Sequence, residues 1–514
     1  MPANQATPTP NQLIGSLAIK AMTPTTKSNP ANPVKINTND VRGVVADSES
    51  FELTKPQPLP RDDSSYLPST LMAAPKQHLE VDPSAYLIGL ATVNATIPAD
   101  QPFVPVITGG DLGSYSLARE FHEAYGVISA VVPTAKNLIV GDSSIIQLFP
   151  AGPMFEAQTV LNHLAHVAEQ LRGPSNRPLI LVTGFDYLVR ISVEHRQELL
   201  DLGYVFPSNT VNQLNRAALK DRFYALCDEL DIPYPRTAIY DAGSQDHTPE
   251  TFAAQLDADG MQYPLILKAG DGGAWGQAKY EGRRKVHYFN SAEELIEVIH
   301  KAVGAGYDKT LIIQEFVPGT DNDLRILHHF RNAQGNITLS GLAEVIVEDH
   351  AANMEGSSRA VIVRSDERVE EYGRRIMDAL DWHGFGMFDI KLHAHTGEPY
   401  FLEMNPRLGR HHYYLTAAGA NPATYLIEEL VKKQPDAQHR QLDGPAASIT
   451  IPLSVVKQYA TATQWQQIQA AKSAKTLARP LMYRKDRRPL RTAYQLYQLT
   501  KAARHVAHTP GQMN

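Results

Sequence analysis

Cysteine is almost missing from this chain. Cys227 is the only one in 514 residues, so no intramolecular disulfide can form and no cysteine-rich metal site is available; a reducing cytoplasm fits this usage. No run of 18 uninterrupted apolar residues occurs, and the start, "MPANQATPTPNQLIGSLAIKAMTPTTKSNPANP", lacks a basic stretch followed by a long apolar one. Neither export nor a membrane span is therefore expected. Positive charge is not in excess either: the formal net charge of -7 argues against a nucleic-acid binder that works through a global positive field and leaves small-molecule chemistry. Two nucleotide signatures are also missing. G-x-x-x-x-G-K-[ST] occurs nowhere, and Gly109, Gly110 and Gly113 of "VITGGDLGSYSLARE" miss the spacing G-x-G-x-x-G, so this stretch reads either as an anion-binding turn or as a plain helix-capping turn.

What the chain does have is enough length for two or three domains. Residues 1–85 are rich in Pro, Thr, Asn and Ser without a sustained period and are expected to be disordered or extended. Over residues 86–205, "FVPVITGG" precedes "SYSLAREFHEAYG" and "PLILVTGFD" precedes "YLVRISVEHRQELLDLG"; strands alternating with helices predict a parallel α/β layer. From about residue 206 the texture changes. "NRAALKDRFYALCDELDIPYPRT" has helical spacing that ends at Pro233 and Pro235. "YPLILKAGDGGAWGQAKY" is a short strand ending in Lys268, followed by a glycine-rich loop, a combination suited to clamping phosphate. "TLIIQEFVPGTDNDLRIL" is a strand broken at Pro318-Gly319 and resumed in "DLRIL". Such a break exposes backbone groups that a planar base can use, with Asp321 or Asp323 for ribose hydroxyls, and it equally suits a loop between strands with solvated acids. Residues 436–514 are expected to be helical or irregular.

The densest chemistry lies in "GFGMFDIKLHAHTGEPYFLEMN" and the following "PRLGRHH". Alternation puts Met387, Asp389 and Lys391 on one face of the first arm, and Phe401, Glu403 and Asn405 on one face of the second. A three-residue loop over 395–397, with Gly397 left-handed, pairs residue 389 with 403 and sets Asp389 beside Glu403; a two-residue loop pairs 389 with 404 and turns Glu403 away. Two adjacent carboxylates repel unless a cation or proton lies between them. With the Asn405 amide oxygen they form a hard-oxygen set suited to Mg²⁺ on substrate phosphates. Arg407 then reaches a transferring phosphoryl group or the charge on an acyl intermediate.

Taken together, Lys220 at the head of a helix, "LILK" with its glycine-rich loop, "IIQEFVPG", and the hairpin with Asp389 and Glu403-Met-Asn405-Pro-Arg407 resemble the ATP-grasp carboxylate–amine ligases over residues 206–435. The resemblance implies an α/β (α+β) chain: an N-terminal parallel α/β domain followed by an ATP-grasp fold. It implies ATP and Mg²⁺ as cofactors, with Lys220 and Lys268 on the phosphates and Gln314, Glu315 and the Val317 backbone at the adenine. Asp321 or Asp323 would lie at the ribose, Asp389, Glu403 and Asn405 on magnesium, and Arg407 at phosphoryl transfer. With "FVPVITGGDLGSYSLAREFHEAYGV", "NPRLGRHHYYLTAAGAN" and "PLMYRKDRRPLRTAYQLY" added, the chain over residues 86–505 resembles D-aspartate ligases of peptidoglycan cross-bridge synthesis, which implies a small amino-acid carboxylate joined to the amine of a wall precursor. It departs from that pattern in the N-terminal extension, in "EDHAANMEGSSRAVIV" and in His411-His412.

An amino acid with two carboxylates needs a cation for the non-reacting one, and Arg410 of "NPRLGRHH" or Arg359 of "GSSRA" is expected to supply it. Two other functions compete: a ligase joining different small amino acids or peptides, and a nucleotide-binding protein without ligase activity. Loss of metal ligands or phosphate lysines would favour the last, and all are present here.

Overall fold

Short β-branched runs covered on both faces make the first layer. In the computed structural model, which describes residues 94–508 except 135–136, 150–151, 153–155, 174–175, 271, 350–355 and 435–437, strands β1 (Val104–Thr108), β2 (Ser129–Val132), β3 (Ile146–Leu148), β4 (Leu179–Thr183) and β5 (Tyr204–Val205) pair in parallel in the order β3-β2-β1-β4-β5. Ile107 packs on one face with Tyr115 and Phe121, while Val104 and Val106 pack on the other with Leu161, Leu164 and Leu188, which is how a parallel sheet buries both faces. The segment 1–85 lies outside the described residues. Among the described residues no helix is long and apolar enough to cross a membrane.

The glycine turn after β1 proves to be a helix cap. Asp111 accepts the Ser114 N–H at 3.0 Å at the start of the helix Leu112–Tyr125. Gly109 sits at φ +115°, and a Cβ on Gly113 would lie 3.2 Å from the Arg410 Cα, so the turn abuts the segment after the carboxylate hairpin.

The next region breaks into two helices, Val211–Ala218 and Lys220–Glu229, because Leu219 adopts an extended conformation between them. Lys220 thereby opens the second helix. A small antiparallel sheet follows: β6 (Thr237–Asp241), β7 (Leu265–Ala269), β8 (Val286–Phe289) and β9 (Thr310–Glu315), in the order β6-β9-β7-β8. Leu265, Leu267, Leu311 and Ile313 face helices Pro249–Ala258 and Ala292–Gly304 through Phe252, Leu256, Leu295 and Ile299; alternation leaves Ile266 and Lys268 for the opposite side. The glycine-rich stretch after Lys268, expected to be a loop, forms the short helix Gly272–Gln277. Trp275 anchors it, buried against Tyr280 and Tyr307 and donating its indole N–H to the Arg284 carbonyl at 2.8 Å.

The large sheet contains β10 (Leu324–Arg331), β11 (Ile337–Glu348), β12 (Ser358–Arg364), β13 (Gly384–Leu392), β14 (Pro399–Asn405), β15 (Arg440–Gln441), β16 (Ala447–Ile449) and β17 (Leu477–Ala478). Its order is β14-β13-β10-β11-β12-β16-β17, with β15 on β11. The C-terminal segment is thus not only helical or irregular: it contributes three strands, of which β16 covers the free edge of β12 and β17 pairs with β16. The stretch 310–327 is divided between sheets, β9 in the small one and β10 in the large one. The two chain crossings between these lobes touch, the Glu315 N–H donating to the Arg236 carbonyl at 3.0 Å.

The last segment is also bolted to the parallel domain. Buried Asp486 accepts from the Tyr115 hydroxyl at 2.9 Å, the Ser143 hydroxyl at 2.8 Å and the Ser144 N–H at 2.6 Å, and it pairs with Arg491 at 3.1 Å. Arg491, also buried, donates to the carbonyls of Leu138, Ile139 and Gly141.

Candidate active site

Asp389 does pair with Glu403, by a route other than a three-residue loop. The His393 N–H bonds to the Glu398 carbonyl at 2.8 Å, closing four loop residues with Gly397 at φ +69°. Continued regularly, that register would set Glu403 against Phe388. A bulge at Leu402 shifts it by one, so Ile390 faces Phe401 and Asp389 faces Glu403. The expected face is corrected accordingly: Phe401 lies in the core with Phe388, Ile390 and Met404, and Leu402 and Glu403 both look into the cleft.

The cleft lies between the two sheets and opens to solvent. Lys220 donates through Nζ to Glu403, and the Asn405 amide donates to Asp389 at 3.1 Å. Burial alone would push Glu403 up, but Lys220 and Lys268 more than offset it and hold this carboxyl well below the usual range. Asp389 goes the other way: burial first, then the Glu403 charge, push it well above. Burial and the nearby Lys220 charge bring Lys268 down to about 8.

One carboxylate is thus matched by lysine while its neighbour is driven towards its protonated form, so the pair is short of positive charge. With the Asn405 amide these groups fit a divalent cation that also binds nucleotide phosphates. Among the described residues no three His, Cys, Asp or Glu side chains form a metal cluster.

Of the residues expected at the nucleotide, Lys268, Glu315, Val317 and Asp321 line the cleft. Gln314 does not: its side chain is buried and donates to the Tyr224 hydroxyl and Thr237 Oγ1, both at 2.8 Å. Asp323 is likewise spent on the turn, where it accepts from the Thr320 N–H at 2.7 Å. Sequence reasoning missed Phe316, Tyr288, Lys285 and Glu348, which also line the cleft. Lys391 lines it too, 4.7 Å from the Phe316 ring centroid and donating to the Gly319 carbonyl at 3.0 Å; its signal was its place two residues from Asp389 on the same face.

Arg407 stands just behind the pair. It donates to Asn405 Oδ1 at 3.2 Å and forms an ion pair with Asp186 at 2.7 Å, so the parallel domain orients it. Arg359 and Arg410 lie in neither group; both line a neighbouring cavity. Arg359 is bound to Asp349, whereas Arg410 is 3.6 Å from Asp111 and its buried Nε has no hydrogen-bond partner. Of the paired histidines, His412 is tied at 2.9 Å to buried Glu120.

No family model matches the chain. The chain is similar to the D-aspartate ligase of Enterococcus faecium, at 26% identity over 372 residues covering 70% of this chain and 85% of that protein. Among solved structures it is similar to N5-carboxyaminoimidazole ribonucleotide synthetase from Thermus thermophilus, with TM-score 0.47 and 19% identity over 69% of this chain and 86% of that one. The L-amino acid ligase from Bacillus licheniformis gives TM-score 0.46 and 13% identity over 67% and 78%. The similarity to the D-aspartate ligase bears out the likeness read over residues 86–505, and the chain folds as a parallel α/β layer followed by a four-stranded antiparallel sheet and an eight-stranded sheet.

Proposed function

We propose that the chain is an ATP-dependent carboxylate–amine ligase that joins D-aspartate to the amine of a peptidoglycan precursor. The observation that carries the ligase reading is Asp389 facing Glu403 at one cleft with Lys268, and Lys220 bound to Glu403. In the reaction, a substrate carboxylate oxygen attacks the ATP γ-phosphorus and ADP leaves. The amine then attacks the acyl carbon, phosphate leaves, and the ammonium loses its proton to give the amide.

Lys268 and Lys220 would hold the phosphates, the Val317 backbone and Glu315 the base, and Asp321 the ribose. Asp389, Glu403 and Asn405 are the residues that would hold Mg²⁺, which supplies charge neutralisation to the transferring oxygens. Arg407, held by Asp186 and Asn405, would face the charge that develops at the acyl centre. No covalent enzyme intermediate is needed, and burial pushes the lone thiol, Cys227, up to about 12, so it takes no part. A reaction that consumes ATP and a wall precursor belongs in the cytoplasm.

D-aspartate as donor is supported by the similar ligase and by Arg410, whose Nε faces Asp111 at 3.6 Å without a hydrogen bond. Arg359 is hydrogen-bonded to Asp349, so Arg410 is the better anchor for the non-reacting carboxylate. Phosphate release from ATP, screened over amino acids singly and in pairs and with a lysine-containing stem peptide, tests both levels. Release should require D-aspartate and a free amine, and Arg410→Ala should raise KM for D-aspartate about tenfold or more with KM for ATP unchanged. Equal rates with alanine would remove D-aspartate and favour a different amino-acid ligase. No release with any pair would remove the ligase reading.

A further inference from the structure

Beside the ATP cleft lies a second cavity of about 950 Å³, and Asp349 lines both. Its walls come from the parallel domain at Leu112 and Ile139, from the large sheet at Arg359 and Ile449, and from the C-terminal segment, including the helix Pro489–His508. Four cations, Arg359, Arg410, Arg479 and Lys501, line it against the single acid Asp349, and Arg359 already binds that acid.

Arg479, Gln495 and Arg410 are poorly matched. Arg479 makes one side-chain hydrogen bond, to the Ile451 carbonyl at 3.1 Å, and among the described residues no carboxylate pairs with it. Gln495 is 8% exposed and its Nε2 has no hydrogen-bond partner. Gln498 lies three residues on, on the same helix face, and its Nε2 donates to the Tyr494 hydroxyl at 2.5 Å. With the orphaned Arg410 Nε, the cavity offers N–H groups above an apolar floor. A ligand that matches it brings oxygen acceptors, negative charge and some apolar bulk.

We propose that this cavity is the acceptor site, and that the C-terminal segment recognises the amine-bearing substrate as a peptide with a free side-chain amine and a free C-terminal carboxylate. Arg479 holds the carboxylate, and Gln495 and Gln498 hold amide groups of the peptide. The end formed by Asp349, Arg359 and Arg410 adjoins the nucleotide cleft, so an amine arriving through the cavity meets the activated carboxylate where the two spaces share Asp349. The proposal rests on the ligase reading and adds the element that selects the acceptor.

The test separates activation from acceptor recognition. Wild-type protein is given ATP, D-aspartate and hydroxylamine, a nucleophile too small to need a pocket, and hydroxamate is measured. It is then given a lysine-containing stem pentapeptide, or the same peptide with its C-terminus amidated. Arg479→Gln, which keeps a donor for the Ile451 carbonyl, should lower the ratio of pentapeptide-dependent to hydroxylamine-dependent turnover about tenfold by raising the peptide KM. With the amidated peptide the same variant should change the ratio less than twofold. Gln495→Leu should lower the ratio with both peptides. Ratios unchanged in both variants would overturn the acceptor site while leaving the ligase standing. If wild type forms no hydroxamate from any amino acid, the ligase reading fails instead, and calorimetric binding of the pentapeptide decides the cavity: equal affinity for wild type and Arg479→Gln overturns it.

Discussion

Lys268 sits where its charge is useful and costly at once. Burial and Lys220 lower it from the ordinary 10.5 to about 8, so the folded chain holds this proton less tightly than the unfolded one. The sign follows by linkage: below about pH 8 the lysine is charged in both states and opposes folding fully, and the penalty fades as pH rises through 8 towards 10.5. A nucleotide phosphate relieves it by supplying negative charge. In ATP-free protein Lys268→Met should therefore raise Tm at pH 7, and the gain should shrink by pH 10, as thermal melts at the two pH values will show. In wild type KM for ATP should climb above pH 8, where the lysine loses its proton. A flat KM between pH 7 and 9.5 would mean that Lys268 does not meet phosphate.

At the scale of elements, the Leu402 bulge sets what the hairpin can do. It aims both Leu402 and Glu403 into the cleft, so one strand supplies an apolar wall next to a carboxylate. Leu402→Ala should raise KM for ATP about fivefold to twentyfold with kcat little changed, as loss of roughly 1–2 kcal/mol of apolar contact with the base requires; an effect confined to kcat would place the base elsewhere. The facing of Asp389 and Glu403 was one of two registers that the sequence left open, because it turns on the loop between the arms, and alternation alone does not set that loop. Its route was not legible, since a four-residue loop plus a bulge and a three-residue loop without one bring the same two residues together. Glu315 and Val317 were named through the resemblance carried by "IIQEFVPG", and both line the cleft. Gln314 looked equivalent and is not, because Tyr224 and Thr237 pull its amide into the lobe, and contacts between residues 77 and 90 positions apart leave no local pattern. Both Asp321 and Asp323 accept a backbone N–H, so choosing between them required seeing that Asp321 lines the cleft and Asp323 does not. The three C-terminal strands are two or three residues long, too short for any period to mark them.

Across the whole molecule, Asp486 is the knot that ties the C-terminal segment to the parallel domain. Asp486→Ala would leave Arg491, the Tyr115 hydroxyl and the Ser144 N–H facing an apolar gap. Breaking a buried pair from one side costs about 3–5 kcal/mol. Calorimetry should show Tm falling by roughly 5–15 °C, and Asp486→Ala with Arg491→Ala together should cost less than the sum of the two. A fall under about 2 °C would show that the C-terminal segment does not rely on this knot. The lobe of residues 237–315 obeys a different mechanics. It joins the large sheet by two crossings only, and these are hydrogen-bonded to each other at Arg236 and Glu315. With both tethers at one edge, a movement of the lobe would turn about that edge. Val317 lies next to it, Lys268 lies out on the lobe, and Lys220 and Glu403 lie on the side of the large sheet. Such a turn would leave Val317 nearly in place and change the gap between the two lysines.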